Sequence, residues 1–247
     1  MISLIKIYVI SLKKSVERQE SIIKQFNALG LEFEFFDAVN GKALTPEEIA
    51  RYSDSNKAKK YLKRELTKGE IGCALSHFLI YKKIIDEHID HAIILEDDAQ
   101  LTDDFPLVIE ALHKVKTHNY IIKLENPNSG RESRESVYTP WRQMRLTPGY
   151  KIVYPLSFIS LATGYYIDNE AAQTLLHKSE KIFLAADDWE YWRQFIELRI
   201  LDNAVVCSQN SFLSAIETER ALCEKVKTNI CVKKIKMIMR VLKRILR

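Results

Sequence analysis

The chain has 247 residues, of which 47% are hydrophobic and 28% are charged, a composition typical of a soluble protein with one sizeable core. No apolar run approaches the roughly 20 residues that cross a bilayer, and the four cysteines show no C-x-x-C spacing. An integral membrane protein, a zinc site and a disulfide framework are therefore not expected, and a reducing compartment is favoured. The formal net charge of +4 is uneven: nine basic residues and no acids lie between Lys225 and Arg247, and subtracting them leaves −5 for residues 1–224.

The N-terminal stretch LIKIYVI is short, apolar and β-branched, so it is expected to be a first strand rather than a signal peptide. Two capping boxes, Thr45–Glu48 and Thr67–Glu70, predict helix starts. Residues 53–66 are expected to be an exposed polar segment, and residues 126–149 a long loop or hairpin over the site. The predicted strands cover residues 4–10, 32–36, 91–95, 120–124, 158–167 and 204–207. The predicted helices run from Ser15 to Leu29, from Thr45, from Thr67 to about His88, over 105–117, behind Asp168 and over 187–198.

This alternation of strands and helices predicts an α/β fold with a mostly parallel central sheet, formed by residues 1–220. Residues 221–247 are predicted to form a basic, amphipathic C-terminal helix, because apolar and basic side chains fall on opposite faces at helical spacing. Such a helix most simply lies on an anionic membrane surface, here through residues 225–247, and the alternative is a helix docked on the body. Nucleic acid is not an expected partner, because the rest of the chain is acidic.

Three consecutive acids, Glu96, Asp97 and Asp98, follow the predicted strand at 91–95. Ligands of open α/β sheets bind beyond the carboxyl ends of the strands, and Glu96 and Asp98 share a face if the strand continues. Hard oxygen ligands of this kind suit Mg²⁺ or Mn²⁺, which take further ligands from substrate phosphates and water. Glu96 and Asp98 are therefore candidate metal ligands, and the alternative is a solvated acidic turn.

A second acidic pair, Asp187 and Asp188, lies between the apolar stretch IFLAA and the aromatic stretch WEYW. Beside a metal–phosphate site, one of these carboxylates could act as the general base for a substrate hydroxyl. The alternative is a helix N-cap, for which an aspartate needs no further justification.

Residues 68–101, KGEIGCALSHFLIYKKIIDEHIDHAIILEDDAQL, closely resemble the signature of family 25 glycosyltransferases. These are bacterial lipooligosaccharide and lipopolysaccharide sugar transferases related to collagen galactosyltransferases. The opening block at 7–44 is similar to the family's N-terminal block, and YIIKLEN, TGYYIDNEAAQTLL and AADDWEYW follow in the family's order, so that the resemblance covers about residues 5–215. Two departures matter: Ser11 stands where the family usually has asparagine, and residues 126–149 match nothing firmly, which leaves the acceptor open.

The resemblance implies a GT-A-like single nucleotide-binding domain and inverting transfer of galactose or glucose from a UDP-sugar to a lipooligosaccharide or lipopolysaccharide acceptor. It makes the acidic triplet the metal–diphosphate motif, with Mn²⁺ or Mg²⁺ on Glu96 and Asp98, and it makes Asp188 or Asp187 the base. With a lipid-linked oligosaccharide as acceptor, the enzyme is expected in the bacterial cytoplasm, peripherally on the inner face of the membrane.

Seven further residues are candidates for binding the donor, and most have an ordinary alternative role. The resemblance brings Glu70, Ser76 and His77 to the site, although the helical stripe of His77 is more typical of a packed core histidine. Arg18 could meet the nucleotide or pair with a neighbouring acid, and Lys123 could face phosphate or sugar or reach solvent. Gly164 could allow a ligand to approach the backbone or only ease packing, and Asp97 is either a ligand or only a neighbour of the ligands. Trp141 could stack on a sugar ring or anchor a hairpin.

Two other functions compete with this interpretation. Another nucleotide-using transferase could use two acidic sites to hold metals, although no G-x-x-x-x-G-K-[ST] phosphate loop is present. An inactive, membrane-associated relative could serve as an adaptor, although both acidic motifs are retained.

Overall fold

The computed structural model describes residues 5–125, 138–156 and 159–208. The predicted C-terminal helix at 221–247, and with it the predicted membrane contact, lies outside these residues. No helix in the described part of the chain is both long enough and apolar enough to cross a bilayer.

Strands and helices follow one another much as the sequence predicts. The strands are β1 (Lys6–Ser11), β2 (Glu34–Asp37), β3 (His91–Glu96), β4 (Ala99–Leu101), β5 (Tyr120–Lys123), β6 (Tyr138–Thr147), β7 (Tyr150–Pro155), β8 (Gly164–Asp168), β9 (Glu197–Leu201) and β10 (Val206–Ser208). The helices are α1 (Val16–Leu29), α2 (Pro46–Tyr52), α3 (Ser55–Leu62), α4 (Lys68–Asp86), α5 (Phe105–His113), α6 (Asn169–Lys178) and α7 (Trp189–Trp192), and a 3-10 turn covers Gly41–Ala43.

Eight strands form one sheet in the order β2-β1-β3-β8-β5-β9-β7-β6, and β4 pairs with β10 in a separate antiparallel ribbon. Only β8 and β7 run against their neighbours, so six of the eight strands point in the same direction. The predicted α/β fold with a mostly parallel sheet is confirmed. The carboxyl ends of β1, β3 and β5 consequently lie at one edge of the sheet.

The sheet is buried on both faces, which explains why its central strands read as continuous apolar runs. Alternate side chains of β3, such as Ile94, enter the core cluster under α4 and α6, whereas Ile93 and Leu95 enter the cluster under α1 and α5. The period of two places the last strand residue, Glu96, on the α4 side of the sheet.

Local sequence signals predict where the helices begin. Both capping boxes form, because Thr45 and Thr67 accept hydrogen bonds from the Glu48 and Glu70 amides while each glutamate accepts from its threonine amide. Ser15 is the exception, since its side chain makes no capping hydrogen bond, although α1 begins at Val16 as predicted.

Three predicted segments differ in the structure. The exposed segment at 53–66 contains α3, because Asp54 caps the Lys57 amide and Ala58 is buried in the core. The helix predicted over 187–198 shrinks to α7, because the residues after it pair with β5 as β9. The strand predicted over 158–167 begins only at Gly164. Part of the predicted hairpin at 126–149 is present as β6, which pairs with β7.

A backbone-to-backbone contact joins the 3-10 turn to the first turns of α4. A Cβ atom added to Gly41 would lie 1.8 Å from the Lys68 carbonyl oxygen, and one added to Gly72 would lie 2.5 Å from the Gly41 nitrogen. Ser76 reinforces the contact, because its Oγ accepts a hydrogen bond from the Val39 amide at 2.8 Å and donates to the Gly72 carbonyl at 2.7 Å. Glycine is required at both positions to let the two backbones approach.

Candidate functional site

The carboxyl edge of the sheet brings together several residues that the sequence singles out. Glu96 and Lys123 end β3 and β5, and Asp97 and Asp98 follow directly in a turn. Because β8 is antiparallel to both strands, its first residue, Gly164, lies at the same edge and pairs with Leu95. These five predicted site residues therefore lie at one edge of the sheet, the edge at which α/β folds bind their ligands; this edge is called the crevice below.

Only Glu96 belongs to the strand, and the side chains of the three acids contact four different elements. Glu96 turns toward α4, where its Oε1 lies 3.4 Å from His77 Nε2 and 3.8 Å from Cys73 Sγ. Asp97 contacts β1 and α1, and Asp98 contacts β10. The strand ends at Glu96 and the chain turns over Asp97 and Asp98. Glu96 and Asp98 are therefore not alternate residues of one strand, and the shared face expected for them is absent.

Asp97 is held by two donors. Ser11 Oγ donates to Asp97 Oδ2 at 2.8 Å, and Arg18 Nη1 donates to Oδ1 at 2.9 Å. Arg18 thus pairs with a neighbouring acid, the alternative to a nucleotide contact. The serine at position 11, where asparagine was expected, has a structural role because it donates to Asp97. Binding of the donor by Arg18 and Asp97 stays a prediction.

Asp98 is the least satisfied of the three carboxylates. Ser208 Oγ donates to its Oδ2 at 3.3 Å, whereas Oδ1 is buried and has no hydrogen-bond partner among the described residues. Burial first, and then the negative charge of Glu96, raise the pKa of Asp98 to about 7, although Arg18 opposes the shift. A buried carboxylate oxygen without a partner is costly, and a bound cation would supply one. The buried Oδ1 of Asp98 is therefore a candidate ligand for a divalent metal, and a shared site with Glu96 stays a prediction.

Replacement of Asp98 by asparagine is expected to stabilise the metal-free protein at high pH. Because the folded-state pKa lies above the unfolded value, the ionised carboxylate opposes folding, and stability falls as the pH rises from the unfolded pKa to about 7 and then levels off. The stability difference between Asp98→Asn and the parent should grow by about 1–2 kcal/mol between pH 5 and pH 8. Urea unfolding at both pH values, with the exposed Asp103→Asn as control, measures it. A difference that does not change with pH would contradict this assignment.

His77 is a packed histidine that also faces the crevice. It is buried, its Nδ1 lies 2.6 Å from the Tyr165 hydroxyl, and that hydroxyl lies 2.8 Å from the Tyr81 hydroxyl. Burial, reinforced by Tyr81, raises the pKa of Tyr165 well above its ordinary value and keeps the phenol protonated. Burial alone would raise the pKa of Glu96, but the hydrogen bond and charge of His77, together with Lys123, outweigh it and lower that pKa. Glu96 is therefore ionised at neutral pH.

Lys123 does not reach solvent, because its side chain is fully buried in an ion pair with Glu125. Its Nζ also donates to the Leu161 carbonyl at 2.6 Å and lies 5.0 Å from the centre of the Trp189 ring. The sequence interpretation missed Glu125, although residues two apart at a strand end share a face and could have been paired.

The second acidic pair is tied to the same edge through Leu161. Trp189, which follows Asp188, donates its indole Nε1–H at 2.6 Å to the Leu161 carbonyl that also accepts from Lys123. Leu161 has a φ of +65°, a strained conformation for a residue other than glycine, and such strain is common at functional sites. Asp188 occupies the N-cap position of α7, although its side chain makes no capping hydrogen bond there, and its role as a base stays a prediction.

Three predicted donor-binding residues make structural contacts. Glu70 is buried and accepts two hydrogen bonds from Arg64, each at 2.7 Å, besides its capping bond. Ser76 joins the two backbones described above, and a Cβ atom at Gly164 would lie within 3.0 Å of the Leu95 and Val206 side chains. These contacts support the packing role of Gly164, and assignment of the three residues to the donor site stays a prediction.

The known proteins that this chain resembles are glycosyltransferases of one family and proteins of lipooligosaccharide biosynthesis. The sequence model described as "Glycosyltransferase family 25 (LPS biosynthesis protein)" matches residues 4–189. The chain is 30% identical to the lipooligosaccharide biosynthesis protein lic2B of Haemophilus influenzae over 68% of this chain and 61% of that protein. It is 26% identical to human procollagen galactosyltransferase 2 over 69% of this chain and 27% of that protein. A glycosyltransferase 25 family member of Aedes aegypti is 36% identical over 40% of this chain and 17% of its own length. The chain thus spans less than two thirds of each of these relatives.

Proposed function

Because the chain belongs to glycosyltransferase family 25, we propose that it moves galactose or glucose from a UDP-sugar to a lipooligosaccharide or lipopolysaccharide acceptor with inversion. The observation that carries the proposal lies at the carboxyl edge of the sheet: Asp98 Oδ1 is buried without a hydrogen-bond partner among the described residues, and the charge of Glu96 acts on this carboxylate. The arrangement suits a GT-A-like domain, in which an acidic motif after a central strand meets the donor diphosphate.

The acidic motif would have to bind the negatively charged diphosphate of UDP without repelling it. The UDP leaving group gains negative charge as the bond to the anomeric carbon breaks, and a bound Mn²⁺ or Mg²⁺ would stabilise that charge. Glu96 and Asp98 would hold the cation, while the hydrogen bonds from Ser11 and Arg18 fix Asp97 and thereby the direction of the turn. Lys123 brings no net charge, because Glu125 neutralises it.

Inversion requires the acceptor hydroxyl to attack from the face opposite the leaving group and to lose its proton to a base. Asp188 or Asp187 would accept that proton. Both are half-buried, and the residue that follows them, Trp189, donates a hydrogen bond to the Leu161 carbonyl at the crevice. A positioned general base typically contributes 10²- to about 10⁴-fold in rate.

One of the variants Asp188→Asn and Asp187→Asn is therefore expected to lose about 10²- to 10⁴-fold in hexose transfer while its UDP affinity changes little. Transfer is measured with UDP-galactose and UDP-glucose, and UDP binding by calorimetry with and without Mn²⁺. The exposed Glu180→Gln serves as the matched control. If both aspartate variants retain parental turnover, the base is another residue.

Sugar turnover and pyrophosphate release together separate the two competing functions. An adaptor would bind acceptor without turnover of either UDP-sugar, and a nucleotidyltransferase would release pyrophosphate from a nucleoside triphosphate. UDP binding that Mn²⁺ does not strengthen would contradict the proposed donor site. In the proposal the acceptor is lipid-linked, and the basic residues 225–247 would hold the enzyme on the inner face of the cytoplasmic membrane.

A further inference from the structure

We propose that Cys73, His77 and Glu96 form a binding site for a thiophilic divalent metal ion of the Zn²⁺ class. Within the described part of the chain, they are the group of three potential ligand side chains whose ligand atoms all lie within 4.8 Å of one another. This site differs in ligands and chemistry from the oxygen-only pair, Glu96 and Asp98, considered for the donor.

The backbone positions the three ligands before any metal arrives. Cys73 and His77 are four residues apart on α4 and therefore share a face, and Glu96 meets that face from the end of β3. With metal bonds of about 2.0–2.1 Å to nitrogen, 2.3 Å to sulfur and 2.0–2.2 Å to oxygen, tetrahedral geometry places nitrogen and oxygen about 3.4 Å apart and sulfur and oxygen about 3.6 Å apart. The corresponding distances are 3.4 Å from His77 Nε2 and 3.8 Å from Cys73 Sγ to Glu96 Oε1. Little movement is needed to coordinate an ion.

The donor set selects the class of ion. A thiolate and an imidazole with one carboxylate suit Zn²⁺ or Co²⁺, whereas Mg²⁺ prefers oxygen ligands throughout. Three protein ligands leave a fourth position for water or substrate. Cys73 and Glu96 are both partly exposed, so the ion can enter from the crevice. The absence of a C-x-x-C pattern does not exclude this site, because its ligands come from a helix and a distant strand.

A contact on its second ring nitrogen orients His77 for metal binding. Its Nδ1 contacts the Tyr165 hydroxyl at 2.6 Å, and Tyr81 in turn contacts Tyr165, so the ring is held with Nε2 toward Glu96. Partners of this kind orient a ligating imidazole and commonly alter metal affinity about 10- to 100-fold. Lys123 lies close enough to affect Glu96 and would repel a cation, but its ion pair with Glu125 leaves little net charge there.

Occupancy of this site would compete with the donor metal for Glu96. We therefore expect Zn²⁺ to inhibit transfer supported by Mn²⁺, a consequence that rests on the proposed function. Binding of the ion does not rest on it and is tested separately.

The test is a Co²⁺ titration of the full reduced chain, followed by Zn²⁺ competition. The parent is expected to show the visible bands of tetrahedral Co²⁺ and a near-ultraviolet thiolate-to-cobalt band, both displaced by Zn²⁺. Cys73→Ser should lose the thiolate band and weaken Zn²⁺ binding at least about tenfold, whereas Cys207→Ser, the matched half-buried cysteine outside the site, should retain both. Glu96→Gln should weaken binding but keep the thiolate band.

Thermal unfolding followed by circular dichroism establishes that each variant is folded. A thiolate band that survives in Cys73→Ser, or Zn²⁺ affinity equal to that of the parent in both Cys73→Ser and Glu96→Gln, would overturn the proposal. Failure of UDP binding with an intact Co²⁺ spectrum would count against the proposed function alone.

Discussion

Alanine at Gly41 is expected to destabilise the protein by about 3 kcal/mol or more, and alanine at Gly72 by about 1–3 kcal/mol. The new Cβ of Gly41→Ala would lie 1.8 Å from the carbonyl oxygen and 2.7 Å from the carbonyl carbon of Lys68. Because these are backbone atoms of the first turn of α4, the clash can be relieved only by shifting the helix. The shift would also strain the Val39–Ser76 hydrogen bond and move Cys73 and His77.

Urea unfolding monitored by circular dichroism measures the loss, and Gly149→Ala is the matched control. Gly149 lies in the turn between β6 and β7, where an added Cβ has no neighbour within 4 Å, so its substitution should change stability by less than about 0.5 kcal/mol. Equal losses of stability in Gly41→Ala and Gly149→Ala would show that the contact between Gly41 and the Lys68 backbone does not cause the destabilisation.

Lys123→Met is expected to lower the free energy of unfolding by about 3–5 kcal/mol, because it leaves the Glu125 carboxylate buried without its counter-charge. The Leu161 carbonyl keeps its hydrogen bond from Trp189, so most of the loss should come from Glu125. Burial already raises the pKa of Glu125 above its ordinary value despite Lys123. In Lys123→Met the pKa should rise further, so the variant should lose more stability at pH 8 than at pH 5.

A double-mutant cycle with Glu125→Gln tests the cause. The double variant Lys123→Met/Glu125→Gln should regain a substantial part of the loss, since a buried neutral pair has no uncompensated charge. Lys82→Met removes the exposed partner of Asp86 and should cost no more than about 0.5 kcal/mol. Additive losses in the double variant would contradict the coupling between Lys123 and Glu125.

The sequence predicts those parts of the fold that depend on residues close together in the chain. The capping boxes at Thr45 and Thr67 form because all their atoms lie within one turn. The apolar runs of β1, β3 and β5 become strands because a doubly buried strand needs no polar face. Prediction fails where tertiary packing overrides local pattern: α3 is polar except for a few residues such as Ala58, and the helix predicted after Asp188 gives way to β9.

In the candidate site, too, the features set by neighbouring residues can be predicted and those set by tertiary packing cannot. The position of Glu96, Asp97 and Asp98 at a strand end follows from the local sequence, but their partners do not. Ser11 and Asp97 are 86 residues apart, and the contact of Glu96 with α4 depends on how the helix lies on the sheet. The burial of Lys123 could not be inferred either, because a lysine at a strand end ordinarily extends to solvent.

The reversed direction of β8 has a consequence for engineering sugar or acceptor choice. At this edge of the sheet the residues beside β1, β3 and β5 follow the strand, starting with Leu12, Asp97 and Leu124, but those beside β8 precede the strand and end at Thr163. Loop exchange between relatives should therefore replace the residues before Gly164 together with those after Ser11, Glu96 and Lys123. Replacing the residues after Asp168 would alter only the opposite edge of the sheet, where that side chain caps α6.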